Sequence, residues 1–83
     1  MEFLELIEAT EEIVRYRYYP EKREATGEYG EVTYFRKTGE RHFDKIADIG
    51  GFGIEYALHA CNAIRRLDKN GRDFPESGII GWY

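Results

Sequence analysis

One cysteine, one methionine, one tryptophan and two prolines are all that the 83 residues hold of these types. The lone Cys61 has no partner within the chain, which excludes a disulfide-stapled fold and points to a reducing, cytoplasmic setting. Long apolar runs are missing as well. The longest uncharged stretch with real apolar content is Gly78-Ile79-Ile80-Gly81-Trp82-Tyr83, whereas a membrane helix needs about 20 such residues. Met1-Glu2-Phe3-Leu4-Glu5 lacks the basic start of a signal peptide. Positive charge is short too: 12 Lys and Arg against 16 Asp and Glu leave a formal charge of −4, opposite to the footprint of a nucleic-acid binder.

What the chain does have is aromatic mass. Seven Tyr, five Phe and one Trp can close a small core, because each buried ring removes roughly 150–250 Å² from water. The composition therefore predicts a single α+β domain over residues 1–83. Charge is unevenly placed, with five Glu and no Lys or Arg in the first twelve residues. Phe3, Leu4 and Ile7 with Leu6 beside them, opposite Glu2, Glu5, Glu8 and Glu12, predict an amphipathic helix ending near Thr10.

From Ile13 to Tyr19 the period changes to two, with Val14, Tyr16 and Tyr18 on one side and Ile13, Arg15, Arg17 and Tyr19 on the other, which predicts a strand. Pro20 stops it, and the charged residues 21–28 read as a mobile surface loop. Residues 31–46 read as a β-hairpin around Lys37-Thr38-Gly39, with Gly39 at positive φ. That register opposes Phe35 to Arg41, Tyr34 to His42, Thr33 to Phe43, Val32 to Asp44 and Glu31 to Lys45. A second helix over residues 52–70 carries the stripe Ile54, Ala57, Leu58, Cys61, Ile64 and Leu67. Asn70-Gly71 stops it, and a last strand is expected over residues 79–83.

These elements predict a two-layer sandwich in the order α-β-β-β-α-β, with a three- to four-stranded, mainly antiparallel sheet and two helices. The core expected is Val14, Tyr16, Tyr18 and Ile79 or Ile80 against Leu58, Cys61, Ile64 and Leu67. Either hairpin face, Val32, Tyr34 and Ile46 or Thr33, Phe35 and Phe43, fits inward, and the first helix is available to cover the second face.

Each chemical motif competes with a plainer account. Cys61 lies in the apolar stripe, where a protonated thiol is inert, and His59 leaves on another helix face. His42 and Asp44 with His59 have the makings of a metal site, but nothing in the sequence brings His59 to the strand. Gly50-Gly51-Phe52-Gly53 precedes a helix, yet Glu55 replaces the lysine and hydroxyl of a phosphate turn, so a hinge is expected. No pair among the twelve glutamates is isolated in an apolar setting where acid–base work would be tuned. No metal or cofactor is expected.

Arg15-Tyr16-Arg17-Tyr18-Tyr19 suggests stacking and phosphate contact with single-stranded nucleic acid through Arg15, Arg17 and Tyr19, joined by Phe35 or Arg41. Period two weakens this, because Tyr16 and Tyr18 leave on the other face. The preferred expectation is a non-enzymatic module that binds another protein, since eight Arg and the tyrosines are residue types that anchor interfaces. An inhibitor or immunity-type protein fits by size and charge alone. The surface expected to carry binding is Arg15, Arg17, Tyr19, Arg41, Trp82 and Tyr83. Nucleic acid is the alternative, and a small metal or cysteine enzyme the least favoured reading.

Overall fold

The computed structural model describes residues 2–20, 29–47, 53–71 and 73–80, without the side chains of Glu2, Ile79 and Ile80. The readings placed on residues 21–28, on Gly50-Gly51-Phe52 and on Trp82 and Tyr83 lie outside the described residues. Among the described residues five strands and one helix follow in order: β1 Glu2–Ala9, β2 Ile13–Tyr19, β3 Gly30–Phe35, β4 Arg41–Lys45, α1 Gly53–Lys69 and β5 Ser77–Ile80. All pairings are antiparallel and the sheet order is β4-β3-β2-β1-β5. The architecture is α+β, but the described residues run β-β-β-β-α-β, with five strands among them rather than three or four and one helix rather than two.

The expected first helix is strand β1. Leu4 and Leu6 alternate and sit opposite Tyr18 and Tyr16 of β2, as a strand requires. A register shift between Leu6 and Glu8 then makes Ile7 an extra residue, after which Glu8 meets Arg15 and Ala9 meets Val14. That bulge interrupts period two and makes the apolar spacing imitate a helix. Ten residues of helix are marginal alone, whereas β1 gains a ladder on each side. The Thr10 hydroxyl closes the β1–β2 turn by accepting from the N–H groups of Glu12 (3.1 Å) and Ile13 (3.0 Å).

The second hairpin forms, with Gly39 at φ 77°, but its loop is one residue longer than expected. Phe35 N–H donates to the Glu40 carbonyl at 2.8 Å, which leaves four residues in the turn. Tyr34 consequently faces Arg41, Thr33 faces His42 and Val32 faces Phe43. A bulge at Asp44 then restores the Glu31–Lys45 pair. The opposite-charge end of the ladder is kept, and the register between the ends is not. Phe43 thereby joins the inner face with Val32 and Tyr34, while Phe35 and Ile46 are exposed.

Val14, Tyr16, Tyr18, Val32 and Tyr34 form the sheet side of the core, and Tyr56, Ala57, Ala60, Cys61 and Ile64 of α1 form the other. The helix stripe is rotated from the expected one: Ile54 is 56% exposed, and Tyr56 and Ala60 replace it at the sheet. Small Ala and Cys side chains let the helix approach the three large tyrosines of the sheet, so volume is shared between the two layers. β5 starts at Ser77, two residues before the expected strand, and pairs with β1.

Two phenols fasten irregular chain to this core. Tyr18 Oη accepts from Ala47 N–H (3.1 Å) and donates to the Gly53 carbonyl (3.4 Å), holding both ends of the β4–α1 connection. Tyr16 Oη donates to the Pro75 carbonyl (2.6 Å), holding the return to β5. Burial disfavours the Tyr16 phenolate and pushes its pKa up from 10.0 to about 12. Because the folded chain holds this proton more tightly than the unfolded one, the contribution is complete below pH 10. It is lost as pH rises toward 12. Thermal melts from pH 9 to 12 should fall less steeply for Tyr16→Phe than for the parent chain. Parallel curves would show that Tyr16 is not the group titrating.

Candidate functional site: an open sheet face and a basic groove

With β1 in the sheet, no helix covers the second sheet face among the described residues. Strand alternation brings Arg15, Arg17 and Tyr19 together there, as the sequence predicts, beside Glu5, Glu31 and Tyr29. One row crosses four strands with alternating sign: Lys45, Glu31, Arg17, Glu5. Arg17 reaches Glu31 at 3.5 Å and Glu5 at 3.7 Å, and Arg15 reaches Glu31 at 3.4 Å. Lys45 Nζ lies 3.6 Å from the centre of the Tyr29 ring, and Arg17 Cζ lies 4.5 Å from it. Tyr19, 6.1 Å from Tyr29 between ring centres, is only 8% exposed.

This face is thus neutralised from within. Its arginines already hold carboxylates, and a phosphate chain would have to displace Glu31 and Glu5 to reach them. Tyr16 and Tyr18 are fully buried and offer no ring for a base to stack on.

Arg41 is not part of that face. The one-residue shift of the hairpin opposes it to Tyr34, on the helix side of the sheet. There it lines a groove of about 800 Å³ between the β3–β4 turn and the C-terminal end of α1. Tyr34 forms the floor, Lys37 and Glu40 come from the hairpin, and Arg65, Asp68 and Lys69 come from the helix. Arg36 also borders the groove but is occupied. Its Nε donates to Asp68 at 2.8 Å, its Nη1 donates to the Thr10 carbonyl at 2.8 Å, and its Cζ lies 5.2 Å from the centre of the Phe74 ring. Lys37 lies 4.0 Å from Glu12.

The remaining bases differ. Arg41, Arg65 and Lys69 are exposed and, among the described residues, have no carboxylate within 4.0 Å. Arg65 and Lys69 suit the negative end of the helix dipole, which accounts for their place in the last turns. That account does not extend to Arg41, which arrives from another element and converges on them.

No family model, curated protein or solved structure matches the chain. The geometry alone carries the functional reading.

The enzymatic alternatives gain no support from placement. Cys61 is buried under the sheet and His42 sits 3.7 Å from Asp44 on an exposed edge strand. Among the described residues no three His, Cys, Asp or Glu side chains are grouped to hold a metal ion. The groove was invisible to sequence reasoning because its two walls are about 30 residues apart along the chain. The available signal was parity: in an antiparallel meander the β3–β4 turn and the far end of the next helix return to the same end of the sheet.

Proposed function

We propose that the chain is a non-enzymatic module that binds another protein through the basic groove. The observation that carries this reading is the contrast in pairing. Arg15 and Arg17 on the open sheet face are neutralised in place, whereas Arg41, Arg65 and Lys69 converge on a concavity with no carboxylate within 4.0 Å among the described residues. Holding like charges together opposes folding, and an anionic partner removes that repulsion. A protein surface fits better than nucleic acid. Glu40 and Asp68 interrupt the positive lining, Tyr34 is 3% exposed and offers no stacking face, and three free bases make a short track.

The test compares the parent chain with Arg41→Glu/Arg65→Glu/Lys69→Glu, all at exposed positions. Cross-linked complexes recovered from native lysate should contain proteins captured by the parent and lost, more than about tenfold, with the triple variant. Equal capture by both would remove the groove from consideration. A labelled single-stranded oligonucleotide that binds the parent with steep salt dependence, and not the variant, would replace the protein reading with the nucleic-acid one.

A further inference from the structure

We infer that the groove takes an extended acidic segment of the partner, which adds as a strand to the free edge of β4. The inference rests on the protein-binding reading above and specifies how the partner is held. β4 is the outer strand of the sheet, and four of its five residues are exposed. The Phe35 N–H to Glu40 carbonyl bond fixes which residues pair through hydrogen bonds. Alternation then makes Thr33–His42 a bonded pair and turns the N–H and C=O groups of Arg41 and Phe43 outward. Among the described residues no hydrogen bond satisfies those outward groups. Exposed strand edges of this kind accept an added strand, whose main chain supplies affinity while alternate side chains supply specificity.

The side chains of an added strand fall on the faces that β4 already defines. Arg41 and Phe43 lie on the helix side because they oppose Tyr34 and Val32. Every second residue of the incoming segment therefore projects over the groove, toward Arg41, Arg65 and Lys69. Carboxylates are the groups that an arginine fork and an unpaired ammonium recognise there. The bulge at Asp44 ends the regular edge, so the added segment is short and its acidic residues alternate.

The probe is an acetylated and amidated Thr-Glu-Thr-Glu-Thr-Glu peptide, read by amide chemical shifts of the full chain. Shifts confined to Arg41, His42, Phe43, Arg65 and Lys69 are expected. Affinity should drop about tenfold or more when alternate peptide amides are N-methylated on their hydrogen-bonding edge, since each methyl removes a main-chain donor to β4. Arg65→Glu/Lys69→Glu should weaken binding similarly while leaving the far-ultraviolet spectrum unchanged.

Equal binding by the N-methylated peptide overturns edge addition and leaves the groove as a charged docking surface. If the peptide shifts no amide while lysate proteins are still lost with the triple variant, the acidic segment is overturned and the protein-binding reading survives. Stronger shifts of the same amides with oligothymidylate than with the peptide overturn both.

Discussion

Gly30→Ala should cost about 3 kcal/mol or more and lower the melting temperature by over ten degrees, the scale of core overpacking with lost hydrogen bonds. Gly30 is the β3 partner of Tyr18, and the ring lies directly across it. A Cβ at Gly30 would overlap Cζ, Cε1 and Oη of that ring. Tyr18 has no room to yield, being fully buried and tied through its hydroxyl to Ala47 and Gly53. Swinging the ring away would leave the buried Ala47 N–H without its acceptor. Chemical denaturation should show that Gly30→Ala costs much less in a Tyr18→Leu background, since the two side chains then cease to compete. Additive losses would mean that the glycine serves the backbone and not the ring.

Ile64→Ala should cost about 2–5 kcal/mol, whereas Ile54→Ala should stay within about 0.5 kcal/mol. Both positions belong to the apolar stripe that spacing alone assigns to the helix. Ile64 is fully buried, and α1 is the only helix covering the sheet among the described residues. The cavity cannot be filled by a second layer of helix. Ile54 is more than half exposed, so truncating it leaves water where water already was. Denaturation midpoints for the two variants check this directly, and similar losses would return the helix to the expected orientation. For a chain of this size, with total stability of about 5–10 kcal/mol, the Ile64 variant sits near the limit of folding.

These two sites mark what could be read in advance. The β2 face was legible because Val14, Tyr16 and Tyr18 alternate without interruption, and the structure buries all three. The glycine of the hairpin was legible because positive φ is a local demand. Two features hid the rest. The Ile7 bulge breaks period two and imitates a helix, and the fourth residue of the β3–β4 turn shifts a register that the Asp44 bulge returns to the expected one only at Glu31–Lys45. A bulge is stabilised by contacts across strands, so its cause lies outside the window in which periodicity is read. Ile54 failed for a related reason. Helical spacing defines an arc, but its centre depends on which residues the sheet admits, and Tyr56 takes the place that Ile54 was given. Of the candidate site, Arg41 was named on its residue type and placed with the wrong neighbours. Its neighbours Arg65 and Lys69 were explained by the helix dipole, which is true of them and incomplete.

The strand order has a kinetic reading. β1 to β4 form a meander whose neighbours in sequence are neighbours in space, while β5 must travel around α1 to lie against β1. Contacts between nearby segments form early, and those that close long loops form late. β1 is therefore an inner strand only at the end of folding. Before that, it is a bare edge displaying Leu4, Leu6 and Ile7, and any excursion that releases β5 exposes it again. Glu5 and Glu8 stand along that edge, opposite Arg17 and Arg15 of β2. In the interval before β5 arrives they act as gatekeepers, because a strand with fixed negative charge pairs poorly with a second copy of itself. Charge placed on β1 thus protects, during assembly, a seam that the mature sheet no longer shows.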